Sequence, residues 1–238
     1  MRFIAFACDY DETLARLGRV SPEGVLALKQ LAASGRKLLL VTGRELDDLL
    51  SVFPAADLFD RIVAENGAVL YRPATRERKR LAERAPEELV DLLNRRGVSP
   101  LSVGEVIVAT LEPNQEAVLE AIRDLGLELQ VIFNKGAVMV LPSGVNKGTG
   151  LRHALRELGI STHNCVAIGD AENDHAFLSI SECAVAVANA LPTLKERADL
   201  VTAREATEGV IELIDQLCSD DLRRLEARLS RTNPRQRR

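Results

Sequence analysis

The sequence predicts an α/β fold, a parallel sheet with helices on both faces, interrupted by a smaller inserted α+β module. Short apolar segments alternate with helix-like segments at both ends of the chain, which is typical of parallel sheets covered by helices. Several apolar segments, such as KLLLV, are continuous rather than alternating, as expected of strands buried on both faces. Between residues 72 and 143 this alternation breaks, which indicates the insertion.

Apolar runs and capping or turn residues predict the first strands and helices of the chain. The apolar run from Phe3 to Cys8 predicts a strand. Ser21 is a good N-cap and Pro22 suits the first helical position, so a helix is predicted from there to Gly35. KLLLV predicts the second strand, and a helix follows from about Glu45 to Val52. In RIVAENGAVLY an Asn-Gly pair predicts a hairpin turn.

The middle of the chain has a different pattern. Residues 72–84, RPATRERKRLAER, are polar and basic, which predicts a linker or an exposed edge. Helices are then predicted over residues 86–96 and 113–125, and strands over 103–111, 127–133 and 137–141. The last two strands join across NKG, a tight hairpin in which Gly136 is expected to have a positive φ.

The C-terminal part resumes the alternation. KGTGLRHALRELG predicts a helix, NCVAIGD a strand, and a further helix begins near Asn173. CAVAVANA and ADLVT predict two more strands, separated by a short helix near Leu194, and the segment from Ala206 to Leu217 predicts another helix. The segment from Arg223 to Arg238 contains seven arginines and one glutamate, and we expect a frayed helix there.

Composition excludes several classes of protein. The 31 Lys and Arg against 35 Asp and Glu give a formal charge of -4, whereas dedicated nucleic-acid binders are usually basic. No apolar run approaches the ~18 residues of a membrane helix, and the apolar start is too short for a signal peptide. The four cysteines lack CxxC spacing, which favours reduced core thiols over a zinc site. We expect a cytoplasmic enzyme without a nucleic-acid or membrane partner; the oligomeric state is left open.

Polar side chains cluster where the predicted strands end, and ligands bind at the carboxyl ends of parallel strands. The first strand is followed by two carboxylates and the second by a hydroxyl, a glycine and an arginine. A lysine opens a later helix, and GDAEND follows the strand that ends at Ile168. The residues concerned are Asp9, Asp11, Thr42, Gly43, Arg44, Lys147, Asp170, Asn173 and Asp174.

Four carboxylates at one sheet edge repel one another and raise one another's pKa unless a positive charge lies between them. A hard divalent cation resolves this conflict, and Mg²⁺ prefers carboxylate oxygens, water and phosphate oxygens. The Lys147 ammonium, the Thr42 hydroxyl and neighbouring backbone N–H groups would hold phosphate oxygens. The sequence therefore predicts metal-assisted phosphoryl transfer.

These stretches resemble the four motifs of the haloacid dehalogenase (HAD) superfamily of phosphatases. DYDET resembles the first motif, DxDxT; VTGR resembles the second, Lys147 in GVNKG the third, and GDAEND the fourth. VAENGAVLY and LPSGVNKGTGL are similar to subfamily IIB, which contains Cof-type sugar phosphatases and archaeal phosphoglycolate phosphatases. The resemblance implies a Rossmann-like core over residues 1–71 and 144–238, with an α/β cap of type C2B over residues 72–143.

Two positions depart from the family pattern. Glu12 stands where many members have glycine, which places an extra acid near the mouth of the pocket. The strand AVMVL before Pro142 lacks an acidic residue that many Cof-type members carry. The resemblance therefore does not extend to a particular sugar substrate.

The resemblance also implies roles for the first two carboxylates and for the metal ligands. Asp9 would attack phosphorus and form an aspartyl-phosphate. Asp11 would protonate the leaving alcohol and then deprotonate the attacking water. Asp9, Asp170 and the backbone carbonyl of Asp11 would hold Mg²⁺. Asp174 would be a ligand or the partner of one, or alternatively an acid that stabilises the helix dipole.

Phosphate would be bound by Lys147, Thr42 and Gly43. Arg44 is a further phosphate-binding candidate, with a salt bridge near the helix start as the alternative. Asn173 would orient Lys147 or the substrate, or else cap a helix. Among the histidines, His153 and His163 are not expected to be ligands, and His175 is a weaker candidate because it adjoins Asp174.

The function predicted is a magnesium-dependent phosphatase acting on a small phosphorylated metabolite, a sugar phosphate or a phosphoglycolate-like compound. The cap would close over the substrate and select the leaving group. A phosphomutase or phosphotransferase would use the same residues with an alcohol as acceptor. A catalytically idle binding module is a third reading, and the presence of Asp9, Asp11, Lys147 and Asp170 argues against it.

Overall fold

The computed structural model describes residues 1–223, which form twelve strands and eight α-helices. The strands are β1 (Ala5–Cys8), β2 (Lys37–Val41), β3 (Arg61–Ala64), β4 (Val69–Arg72), β5 (Glu77–Arg80), β6 (Leu101–Val103), β7 (Val108–Leu111), β8 (Leu129–Asn134), β9 (Ala137–Pro142), β10 (Cys165–Gly169), β11 (Cys183–Ala186) and β12 (Leu200–Val201). The helices are α1 (Pro22–Ala33), α2 (Leu46–Val52), α3 (Glu87–Arg95), α4 (Gln115–Asp124), α5 (Lys147–Glu157), α6 (His175–Leu178), α7 (Pro192–Lys195) and α8 (Ala206–Asp220). All but the first residue of the predicted Arg-rich helix lie outside the described residues.

The larger sheet has the strand order β12-β11-β10-β1-β2-β3-β4-β5. The six strands from β12 to β3 are parallel, and β4 and β5 are antiparallel. At the centre Ala5 is in register with Cys165 on one side and Lys37 on the other, and every residue of β1 and β10 is buried. The predicted α/β class with a parallel core sheet is confirmed.

Helix α1 begins and ends where its sequence predicts. The Ser21 hydroxyl accepts a hydrogen bond of 3.1 Å from the Gly24 N–H, which supplies one of the missing partners at a helix start. After the helix, Gly35 has a φ of +89°. Helix α1 packs against α8, and β2, which follows α1, pairs with β1.

The predicted hairpin between β3 and β4 turns through three residues with positive φ. Glu65, Asn66 and Gly67 have φ values of 51°, 53° and 104°. A Cβ atom on Gly67 would lie 2.0 Å from the backbone oxygen of Asn146. Only glycine therefore lets the N-cap residue of α5 pack against this turn.

The inserted segment matches its prediction at one point and differs at another. Residues 72–84 form an exposed edge, as predicted, because β5 pairs with β4 at the end of the larger sheet. The single strand predicted over 103–111 is wrong, because β6 and β7 are two antiparallel strands. Residues 105–107 lie between these two strands, and their N–H groups donate hydrogen bonds to the Glu65 carboxylate instead of to a neighbouring strand.

The smaller sheet, in the order β6-β7-β9-β8, has two different faces. One face packs against α3 and α4 around a separate apolar cluster. That cluster contains Leu89, Leu93, Val108, Val118, Ala121, Val138 and Val140. Ile107, Ala109, Ala137 and Met139 instead line a cavity together with residues that follow β1, β2 and β10.

Three of the four cysteines match their prediction. Cys8, Cys165 and Cys183 are buried, but Cys218 is exposed on α8, so it is not a core residue. None of the four is disulfide-bonded within the described residues. In that same part of the chain, no helix is long and apolar enough to cross a membrane.

Candidate active site

A cavity of about 570 Å³ lies between the two sheets. Its floor, as named here, consists of the residues that follow the parallel strands and open α5: Asp9, Asp11, Gly43, Arg44, Lys147, Asp170 and Asn173. Its roof consists of residues of the smaller sheet: Ser102, Ile107, Ala109, Asn134, Lys135, Ala137 and Met139. The chain thus brings the predicted residues to one place, because parallel strands end at the same sheet edge.

Lys147 joins two carboxylates at the centre of the floor. Its Nζ lies 2.6 Å from Asp9 Oδ1 and 2.6 Å from Asp174 Oδ1, and its side chain is 2% exposed. Burial lowers the Lys147 pKa, but the charges of Asp174 and Asp9 outweigh burial and raise it. A cation in the first turn of a helix opposes the helix dipole, so these two carboxylates hold the lysine there.

Asp174 also fixes the loop after β10. Its Oδ2 accepts hydrogen bonds of 2.8 Å and 2.9 Å from the N–H groups of Asp170 and Ala171. Both oxygens of this fully buried carboxylate are therefore engaged, one by the loop and one by Lys147. This arrangement supports the predicted role of Asp174 as a partner of the site more than as a free ligand.

Asp9, Asp170 and Asp174 form a group whose ligand atoms lie within 4.8 Å of one another. Burial and then the charge of Asp174 raise the pKa of Asp9, against the opposing effect of Lys147. The same two causes raise the pKa of Asp170, whose Oδ1 accepts a hydrogen bond of 3.0 Å from the Thr13 hydroxyl. A further positive charge beside these carboxylates would favour their ionised form, and hard carboxylate oxygens suit a divalent cation. The residues present therefore fit a metal ion.

The side chain of Asp11 does not join this group. Arg44 donates hydrogen bonds to both oxygens of Asp11, from Nε to Oδ2 at 2.8 Å and from Nη2 to Oδ1 at 2.8 Å. Nη1 of Arg44 lies 2.6 Å from Asp48 Oδ2, four residues along, and the guanidinium stacks over the Tyr10 ring. The structure thus shows Arg44 in the salt-bridge arrangement, where it holds Asp11 at the cavity wall.

The remaining predicted residues surround the same floor. Gly43 lines the cavity. Thr42, predicted to bind phosphate, is fully buried and is not among the lining residues, and its hydroxyl accepts a hydrogen bond of 3.1 Å from the Arg44 N–H. Asn173 donates to Asn66 Oδ1 at 2.8 Å rather than to Lys147, and it lies inside a 3-10 turn rather than at a helix cap. Among residues 1–223, its Oδ1 is buried without a hydrogen-bond partner.

The histidines lie away from this cavity, since no histidine is among its lining residues in the described part of the chain. His163 Nδ1 lies 2.8 Å from Glu182 Oε2 on the surface. His175 borders a separate groove beside α6 and α7. The weaker candidate His175 is therefore not among the residues that line the cavity.

Sequence reasoning missed Lys135, which reaches the floor from the roof. This residue lies at the tip of the β8–β9 hairpin, and its Nζ is 2.7 Å from Asp170 Oδ2. Its ammonium also lies 3.5 Å from the backbone oxygen of Asp11. The only signal in the sequence was a cation inside the NKG turn.

Glu65 was also missed, and it ties the smaller sheet to the larger one. Its carboxylate accepts hydrogen bonds of 2.9, 2.8 and 2.9 Å from the N–H groups of Glu105, Val106 and Ile107, and the residue is 1% exposed. A Cβ atom on Gly104 would lie 2.6 Å from Glu65 Oε1. The β6–β7 turn therefore needs this glycine to approach the carboxylate.

Comparisons with known proteins agree with this geometry. The family model of haloacid dehalogenase-like hydrolases matches residues 6–124 and 112–214. A phosphoglycolate phosphatase of Methanothermobacter thermautotrophicus is 34% identical over 220 residues, which cover 88% of this chain and 96% of that protein. A phosphoglycolate phosphatase 2 of Saccharolobus solfataricus is 31% identical, with 91% and 93% covered.

Solved structures show the same fold. A haloacid dehalogenase-like hydrolase from Bacteroides thetaiotaomicron superposes with a TM-score of 0.75 at 18% identity, covering 90% of this chain and 99% of that one. A subclass IIB sugar phosphatase superposes with a TM-score of 0.71 at 20% identity, covering 90% and 98%. The family match and the curated relatives span most of the chain. The chain therefore belongs to the haloacid dehalogenase-like hydrolases, as one of their phosphoric monoester hydrolases.

Proposed function

We propose that Asp9 is the nucleophile of this phosphatase and that Lys147 and a bound metal ion together favour its ionised form. One Asp9 oxygen attacks phosphorus, the bond from phosphorus to the leaving oxygen breaks, and an aspartyl-phosphate forms. The observation that carries the proposal is the buried Lys147 bridge between Asp9 and Asp174, with both contacts at 2.6 Å. A buried carboxylate with a raised pKa is a poor nucleophile unless such a cation compensates it.

Asp11 transfers the protons in this proposal. Its carboxylic acid gives a proton to the departing oxygen, and the resulting carboxylate takes a proton from the water that attacks the aspartyl-phosphate. Phosphate leaves and Asp9 is restored. In the structure Arg44 holds the Asp11 side chain at the cavity wall, separate from the Asp9 group. To carry the proton, Asp11 must release at least one of its two Arg44 contacts, because Arg44 favours the ionised carboxylate.

We assign the metal as Mg²⁺, held by Asp9, Asp170 and the backbone carbonyl of Asp11. When bound, the cation would offset the charge of these carboxylates and of the phosphate oxygens. Thr13 orients Asp170 through its hydroxyl, and Asp174 holds Lys147 and the loop N–H groups. Phosphate oxygens would meet Lys147, the backbone around Gly43, and the side chain of Asn173.

The substrate proposed is a small phosphate monoester, with 2-phosphoglycolate and sugar phosphates as the first compounds to test. The names of the two archaeal relatives support the first of these. A phosphotransferase would use the same floor, but the proposal favours water as the acceptor. The cytoplasmic location predicted from the sequence is part of this proposal.

A screen of phosphorylated metabolites at fixed Mg²⁺, ranked by kcat/KM, tests the proposal. Turnover of nitrophenyl phosphate should require a divalent cation, be fastest with Mg²⁺ and stop in excess chelator. Calcium should bind yet support little turnover, because its looser and higher-coordinate shell would displace the Asp9 carboxylate from its line of attack. Undiminished turnover in chelator would overturn the metal assignment, and transfer of phosphate to added alcohols in place of water would favour the phosphotransferase.

A further inference from the structure

Lys135 is the least committed cation of the cavity. Among the described residues that line it, the cations are Arg44, Lys135 and Lys147. Arg44 and Lys147 each bind two carboxylates, whereas in residues 1–223 Lys135 pairs only with Asp170. Its side chain is 42% exposed, against 2% for Lys147. Lys135 is therefore the cation that can exchange its partner most easily.

That partner is the carboxylate assigned to the metal. Asp170 Oδ2, 2.7 Å from the Lys135 ammonium, belongs to the group that would hold a divalent cation. Two cations on one carboxylate repel each other strongly at such distances. With a metal ion on Asp170, the flexible Lys135 side chain would turn its ammonium toward the space above the floor. There it would meet the leaving group of a substrate whose phosphate is bound at the floor.

The neighbouring residue offers a second polar group. Asn134 lines the same cavity, and its Oδ1 is buried without a hydrogen-bond partner among the described residues. A buried acceptor without a donor costs free energy until a ligand supplies one. The roof around this hairpin tip includes the apolar residues Ile107, Ala109 and Met139. The tip thus presents one cation and one free acceptor beside apolar side chains.

We propose that Lys135 and Asn134 form a leaving-group subsite that selects phosphorylated hydroxy acids. Lys135 would bind the carboxylate of the leaving group, and Asn134 Oδ1 would accept a hydrogen bond from its free hydroxyl. A cavity of about 570 Å³ has room for a leaving group of more than two carbons. This inference rests on the proposed function and adds a substrate class and two specificity-determining residues to it.

Matched substrate pairs test the cation. 3-Phosphoglycerate and glycerol 3-phosphate share one carbon skeleton and differ in a carboxylate against a hydroxymethyl group; 2-phosphoglycolate and ethylene glycol phosphate differ in the same way. We expect the wild-type kcat/KM to favour the acid of each pair by about tenfold or more, the effect of one charge-assisted hydrogen bond. In Lys135→Met this ratio should fall to near one, and Lys135→Arg should retain most of it.

Lys79→Met is the matched control, since Lys79 also pairs with one carboxylate, Glu157, but lies outside the cavity. It should keep the wild-type ratio. Asn134→Ala should lower kcat/KM for 3-phosphoglycerate relative to 2-phosphoglycolate, which has no free hydroxyl. An acid-to-alcohol ratio that survives in Lys135→Met, even with both activities reduced, would overturn the subsite. A wild-type kcat/KM that is higher for bisphosphates than for the phosphorylated acids would also overturn the subsite.

A binding measurement is independent of turnover. Without substrate, Lys135 competes with the metal for Asp170, so Lys135→Met should bind Mn²⁺ several-fold more tightly than the wild type in a paramagnetic titration. Weaker Mn²⁺ binding would contradict the exchange of partners. If the wild type shows no metal-dependent turnover of nitrophenyl phosphate, the proposed function itself fails. In that case, calorimetric measurement of 3-phosphoglycerate binding still tests the subsite. Equal affinities of the wild type and Lys135→Met for this compound would refute it.

Discussion

The floor and the roof of the cavity hold their lysines in different ways. Lys147 is 2% exposed and lies between two carboxylates, whereas Lys135 is 42% exposed and pairs with one. Lys147 lies in the buried first turn of α5, and Lys135 lies at the tip of a hairpin. The two lysines therefore suit different functions. The floor holds the reacting groups in fixed positions, and the roof can adjust to different leaving groups.

The roof itself is attached unequally. At the β6–β7 turn, the buried Glu65 carboxylate accepts three backbone hydrogen bonds. At the β8–β9 tip, the half-exposed Lys135 makes one ion pair with Asp170. Charge-assisted bonds in a buried site are stronger than an exposed ion pair. We therefore expect the Glu65 end to stay in place while the Lys135 end responds to ligands.

The largest effect is expected on the floor, from Asp9→Asn. The amide cannot attack phosphorus, so no aspartyl-phosphate can form and turnover should fall to background. Steady-state hydrolysis of nitrophenyl phosphate and of the best metabolite measures this. Asp215→Asn, an exposed acid on α8, is the control and should retain wild-type activity. Substantial activity of Asp9→Asn would contradict its role as nucleophile.

Asp11→Asn should have the next largest effect, and it should depend on the leaving group. The nucleophile is kept, and proton transfer, worth ~10²–10⁴-fold, is lost. An alkyl phosphate should suffer the full loss, because its alkoxide needs a proton to depart. A nitrophenyl phosphate should react readily in the first step, because its leaving group departs as an anion.

Hydrolysis of the intermediate then limits Asp11→Asn, because Asp11 also activates water. Rapid-mixing experiments should show a burst of nitrophenol followed by slow turnover. The same burst should be absent with Asp9→Asn. If Asp11→Asn is inactive and shows no burst, the division of labour between the two carboxylates is wrong.

The contrast between floor and roof also explains what the sequence could predict. Asp9, Lys147 and Asp170 follow buried parallel strands or open a helix, so strand order alone brings them together. Lys135 and Glu65 act between two sheets, and their partners lie 35 and about 40 residues away along the chain. No local sequence pattern predicts how the two sheets are oriented relative to each other. The split of residues 103–111 into two strands was missed for the same reason, since Glu65 holds their turn.

Glu65→Gln tests the tight link of the roof. The amide keeps the size of the side chain but has one acceptor oxygen, so at least one of the three N–H groups loses a strong partner. We expect a loss of ~1–3 kcal/mol in the free energy of unfolding, measured by chemical denaturation. KM should rise as well, because the roof is less well placed. Glu83→Gln, which makes the same change at an exposed glutamate, is the control. Unchanged stability would show that Glu65 does not anchor the roof.

Lys135→Met provides the comparison for the loose link. The pair joins a 42% exposed ammonium to a 4% exposed carboxylate, which keeps its hydrogen bond from Thr13. In excess Mg²⁺, which would replace the lost positive charge on Asp170, the unfolding midpoint should stay close to that of the wild type. A loss as large as that of Glu65→Gln would contradict the unequal attachment of the roof.

The smallest effect is expected from the basic edge around β5. The sequence alone allows Arg76, Arg78 and Arg80 to attract anionic substrates. In the structure Arg78 pairs with Asp47 and Glu105, so acids partly cancel the local field. Replacing the three arginines with glutamine should lower kcat/KM by no more than about twofold at low salt, and the change should vanish in high salt. A large fall in kcat/KM at low salt would show that this edge steers substrate to the cavity, and a salt-independent fall in kcat would place it in the chemistry.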